Sequence, residues 1–153
     1  MSRVRNATSA DASEVARLIA EFRDWWSYDG PSDESIERSV RRLLADERTE
    51  FLLAEADGEP AGVCQLRYRY GVWLESEDCE LEDLYLREEA RGSGLGRELV
   101  EAAIEHARAR GCGRIQLDTN EGNAAARALY ESLGFSAWAE TPGGNNLLMR
   151  RRL

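Results

Sequence analysis

Three groups of residues in this sequence could do chemistry. Two carboxylates stand side by side at Glu82 and Asp83, three glycines follow one apart at Gly92, Gly94 and Gly96, and Asn123 precedes Tyr130 by seven positions. A carboxylate can take the proton that an incoming ammonium must lose before its lone pair attacks. Glycines ahead of a helix let successive backbone N–H groups converge on an anion, with the positive end of the helix dipole behind them.

The glycine loop excludes two common nucleotide readings. A Walker A loop needs Lys-Ser or Lys-Thr after its last glycine, and Arg97-Glu98 follows Gly96 here. A dinucleotide fingerprint begun at Gly92 and Gly94 needs glycine at position 97, which Arg97 occupies. What remains is a strand, then Arg-x-x-Gly-x-Gly from Arg91 to Gly96, then a helix. Gly94 and Gly96 remove side chains where a ligand must come close to the backbone. With Arg87, Arg91 and Arg97 the stretch is locally basic, as a pyrophosphate site would be.

Other groups are less suggestive. His106 is the only histidine, at the edge of an apolar helix face where packing is its expected role, and no second histidine completes a zinc motif. Ser93 does not stand in a Gly-x-Ser-x-Gly elbow. No metal site is expected. Trp25, Trp26, Tyr28 and Asp29 end the first helix and could surround an alkyl chain or an organic cation, with Asp24 also able to attract an ammonium. Aromatics at a helix end also commonly cap a core.

These residues need elements to hold them. "VRNA" reads as a strand; "TSADASEVARLIAEFRDWW" as a helix with Val15, Leu18, Ile19 and Phe22 on one face and Thr8 or Ser9 as its cap. "SDESIERSVRRLLADE" follows as a second helix. Two β-type runs flank Asp57-Gly58, a pair suited to a tight hairpin. "CELEDLYL" is the strand before the glycine loop, with a helix from about residue 95 to 110 after it. Then come "GRIQLDT" as a strand, "NAAARALYESLG" as a helix closed by Gly134, "FSAWAE" as a strand, "TPGGNN" as a turn and "LLMRRRL" as a last strand.

The chain has 153 residues and 42% hydrophobic content, and no repeat or linker divides it, so a single domain over 1–153 is expected. A net charge of -9 argues against nucleic acid and fits a cationic small substrate better. No apolar run is long enough to span a bilayer, and the N-terminal stretch lacks a signal-peptide core, so no membrane partner is expected. Cys64, Cys79 and Cys112 are odd in number and widely spaced, which suits a reduced, cytoplasmic setting. No lysine is present, so every basic side chain is arginine.

"LEDLYLREEARGSGLG", followed by a helix, a strand and "NAAARALYESLGF", resembles the GNAT superfamily of N-acetyltransferases. The match runs from about residue 81 to 135. It implies an α/β (α+β) fold: a mixed, mostly antiparallel sheet of six to seven strands flanked by about four helices. It also implies acetyl-CoA as co-substrate, its pyrophosphate on the backbone of Arg91, Gly92, Ser93, Gly94, Leu95 and Gly96, and its pantetheine arm along Leu84, Tyr85 and Leu86. A backbone N–H near Leu86 would polarise the thioester carbonyl. Asn123 becomes a CoA contact and Tyr130 the acid that protonates the leaving thiolate; the residues alone favour a core aromatic at Tyr130.

Glu82 and Asp83 stand where such enzymes carry their base, and "LEDLYL" is similar to the matching stretch of spermidine/spermine N-acetyltransferases, which favours Glu82. Alternation puts the two side chains on opposite faces unless a bulge intervenes. Glu80 is a weaker candidate, and a solvated edge is the alternative for all three. The resemblance implies transfer to a primary amine of a small molecule. A non-catalytic acyl-CoA sensor and an enzyme acting on a peptide or protein are the rival readings. The family often forms homodimers, which the sequence itself does not decide.

Overall fold

The computed structural model describes residues 3–139 and 142–153. The chain falls into two compact units, Met1–Gln116 and Leu117–Leu153.

The first unit is built on a five-stranded sheet in the order β1-β2-β3-β4-β5. The strands are β1 (Val4–Asn6), β2 (Thr49–Ala56), β3 (Glu59–Gly71), β4 (Ser76–Leu86) and β5 (Arg114–Gln116). Neighbours are antiparallel except β4 and β5, which run parallel. Asp57 and Gly58 turn β2 into β3 with φ of 53° and 82°, the left-handed pair that a two-residue hairpin turn demands.

Three helices cover this sheet. α1 (Ala12–Trp25) and α2 (Asp33–Leu44) pack Val15, Leu18, Ile36 and Val40 against Phe51, Leu53, Val63 and Tyr85. Residues of opposite parity on the strands point to the other face, where α3 (Leu95–Ala109) buries Leu95, Leu99, Val100, Ala103 and Ala107. Each such aliphatic side chain is worth roughly 1.5–3 kcal/mol of burial. α1 begins later than its sequence suggests. Thr8 opens a 3-10 turn, Ser9–Asp11, its N–H donating to the Asp11 carboxylate at 2.7 Å, and Asp11 is the cap of the helix proper.

The second unit holds α4 (Ala124–Ser132). Gly134 closes it with φ of 90°. Among the described residues the two expected C-terminal strands do not form. An isolated antiparallel bridge, Trp138 with Asn145, spans Gly143 and Gly144, whose φ values are 99° and 101°. Residue 140 of "FSAWAE" lies outside the described residues. The run 147–153 has no ladder partner, and Leu147, Leu148 and Met149 are 80%, 59% and 86% exposed. A run rich in apolar residues makes a strand only when another edge pairs with it, so the described sheet has five strands instead of six to seven.

Candidate active site

β4 carries the site's central irregularity. Gln65 pairs with Asp83 and the next residue, Leu66, pairs with Leu81, so Glu82 is an extra residue: a β-bulge. The bulge removes the alternation that would have parted the two acids. Asp83 stands opposite Gln65 in register, and Glu82 Oε2 accepts from Gln65 Nε2 at 3.1 Å. Gln65 itself is buried. Arg67 Nε lies 3.7 Å from the same Glu82 oxygen. Glu80, two positions back, accepts from Gln116 Nε2 at 2.7 Å.

The other edge of β4 opens just beyond. β5 pairs with Asp78, Cys79 and Glu80 alone. Arg87 N–H donates to Ala61 O of β3, so strand alternation aims the N–H groups of Leu84 and Leu86 at the opposite edge. Tyr85 does not face that way. Its ring stacks on Phe22 at 5.3 Å, and burial pushes its phenol up from the ordinary tyrosine value.

The glycine loop leaves β4 through a short turn, Glu88–Ala90, and enters α3. Gly92 and Gly94 take φ of 74° and 84°, and Gly94 is the cap of α3. A Cβ on Gly92 would meet nothing within 4 Å. These two glycines serve the backbone conformation and leave open space above the loop. Gly96 lies inside the helix. Ser93 Oγ donates to Ala90 O at 2.7 Å, and Arg3 ties the loop from outside by donating to Ser93 O at 3.2 Å and to Glu98 at 2.5 Å. A left-handed cap, open space at Gly92 and the N-terminus of a 15-residue helix suit a pyrophosphate.

The basic residues of the loop divide their work. Arg87 is committed to protein, donating to both Glu21 oxygens at 2.9 Å and to Pro60 O. Arg97 pairs with Glu101 at 3.6 Å. Arg91 donates from Nε to Leu86 O at 3.1 Å and stands 5.2 Å from the Trp25 ring centre.

That contact revises the aromatic end of α1. Trp25 and Trp26 meet edge to face at 4.7 Å, both within 6.2 Å of Phe22, and Tyr28 stacks on Trp26 at 6.3 Å. Trp25 therefore touches the glycine loop through Arg91, while Tyr28 is 63% exposed and Asp29 is exposed beside it. Asp24 is held by Arg23 at 2.8 Å.

In the second unit, Asn123 caps α4, its Oδ1 accepting from Ala126 N at 3.2 Å. Tyr130 is 8% exposed, with its ring edge to face against Phe135 at 5.9 Å.

The profile of the Acetyltransferase (GNAT) family matches residues 15–135. This chain belongs to the GNAT family. The family catalyses acetyl transfer with acetyl-CoA as co-substrate, and the chain is an acetyltransferase by that membership. It is 33% identical to a thialysine N-epsilon-acetyltransferase of Bos taurus, over 92% of this chain and 87% of that protein. It is 32% identical to an aminoglycoside N(6')-acetyltransferase type 1 of Stenotrophomonas maltophilia, over 86% and 84%. A solved structure from Arthrobacter sp. FB24, provisionally named an acetyltransferase, superposes with a TM-score of 0.88 at 30% identity, covering 98% of this chain and 95% of that one. Among the described residues of this GNAT protein, no helix is long and apolar enough to cross a membrane and no metal-binding cluster of acids, histidines or cysteines occurs.

Spacing in the sequence singled out the acids, the glycine loop and the aromatics of this candidate site. It missed Gln65, Arg67 and Arg3, which act through cross-strand register and long-range contacts. A polar Gln65 in an otherwise apolar run was the one available signal.

Proposed function

We propose that this GNAT protein acetylates a primary amine of a small molecule by direct attack, with both units acting as one domain. The carrying observation is the bulge at Glu82, which sets both acids opposite Gln65 on a strand whose other edge β5 pairs only as far as Glu80. The family profile spans residues from both units, which supports a single working domain.

When bound, acetyl-CoA supplies a thioester carbonyl carbon and a thiol leaving group. The amine arrives protonated, its pKa being roughly 10. Glu82, with Asp83 as the second candidate, takes that proton, directly or through water. The N–C bond then forms as the C–S bond breaks. The Leu86 N–H donates to the oxygen on which charge develops. Leu84 and Leu86 offer main-chain groups to the pantetheine arm, and the backbone from Arg91 to Gly96 receives the pyrophosphate. By the family pattern, Asn123 contacts CoA and Tyr130 returns a proton to the thiolate. Trp26, Tyr28 and Asp29 receive the acceptor, Trp25 being shared with the loop.

The cysteines support direct transfer. Burial pushes the Cys79 thiol up to about 12 and raises Cys64 as well, so neither offers a thiolate to carry an acetyl group. The three free thiols also suit a reduced, cytoplasmic compartment. A panel of amines mixed with acetyl-CoA and a thiol reagent tests the reading. CoA release that rises with at least one small amine is expected; CoA binding with no amine-dependent release would make the protein a sensor.

A further inference from the structure

We infer that the acceptor carries a carboxylate as well as the amine it presents to Glu82, and that Arg69 is the partner of that carboxylate. This rests on the acetyltransferase reading above and names its substrate class.

Alternation along β3 puts Gln65, Arg67 and Arg69 on one face, with Arg67 opposite Glu80 and Arg69 opposite Asp78. α1 and α2 cover the other end of that face, around Val63 and Tyr85. Both guanidiniums stand out from it, their side chains 49% and 70% exposed.

Their pairing is loose beside that of the arginines that brace the fold. Arg5, Arg23 and Arg87 each hold carboxylates at 2.9 Å or less. Asp78 is buried and already gripped by both forks of Arg114, at 2.7 and 3.2 Å. Arg69 reaches it only at 3.7 Å, beyond hydrogen-bond range, and so keeps nearly all of its five N–H donors. Arg67 stands at the same 3.7 Å from Glu82.

A purely cationic acceptor would be repelled by two guanidiniums beside the base. A guanidinium fork matches a carboxylate in plane and charge. Each alternate strand position advances about 7 Å. Arg69 therefore sits one such step past Arg67 from the Glu82 carboxylate, a span suited to a short aliphatic chain. The class is the amino acid with a terminal side-chain amine, lysine being the simplest member.

L-lysine and cadaverine differ by the carboxylate alone. Both should be titrated calorimetrically into the full chain with CoA present, and assayed with acetyl-CoA. Lysine should bind and turn over at least about tenfold better than cadaverine, the worth of a charge-assisted hydrogen bond. Arg69→Gln should erase that ratio and Arg69→Lys should restore part of it; Arg114 still holds Asp78 in both variants. Cadaverine preferred, no lysine binding, or a ratio indifferent to Arg69→Gln would each overturn the inference. Lysine bound through Arg69 without acetyl transfer would instead leave the inference standing and remove the proposed reaction.

Discussion

The proposed donor and acceptor sides of this molecule are built by different means. The donor side is backbone: two left-handed glycines, a helix N-terminus and a strand edge that β5 pairs only as far as Glu80, braced by Arg3, Ser93 and Arg91. The acceptor side is side chains, with a bulged Glu82, exposed Tyr28 and two loosely paired arginines on β3. A cofactor common to a family needs one constant cradle, which backbone geometry supplies independently of most side chains. An acceptor that differs between relatives is read by groups that can be exchanged without disturbing the fold.

Substitutions can break this contrast, beginning with the largest effect. Glu82→Gln should lower kcat by about 10³ while CoA affinity, measured by calorimetry, holds. Should Asp83→Asn do the greater damage, the base is Asp83 and the bulge serves to present it. Gly94→Val forces a branched side chain to φ of 84°, a strain of about 1–2 kcal/mol, and should weaken acetyl-CoA binding about tenfold with the acceptor KM kept.

Trp25→Leu is the sharpest probe of the boundary between the two sides. Loss of the cation–π contact with Arg91 should raise the KM for acetyl-CoA about threefold, and Trp25→Phe should recover most of it. A change confined to the acceptor KM would return Trp25 to the acceptor side. The smallest effect is expected of Arg87→Gln, which should cost about 1 kcal/mol in urea unfolding and leave CoA affinity near that of the parent, because Arg87 serves Glu21 and not the loop.

Much of this was legible in the chain. The helices announced themselves by apolar spacing and caps, the β2–β3 hairpin by Asp57-Gly58, and the donor loop by glycines whose φ no other residue adopts cheaply. Such signals are local, each set by a few neighbouring residues. Arg87 shows the limit. It read as part of a basic anion site, and its partner Glu21 is 66 positions away. The C-terminal strands show it again, since the composition of "LLMRRRL" could not say whether an edge would pair with it.

The sequence by itself determined the family, the glycine loop and the adjacency of the two acids, because motif spacing and backbone conformation are written in residue type. Only the tertiary structure decided that a bulge turns both acids toward Gln65, that Arg91 leans on Trp25, and that Arg69 is left without a close partner. Those are matters of register and of which distant side chain arrives first. A one-residue shift between β3 and β4 would reverse them, and no short stretch of sequence encodes that shift.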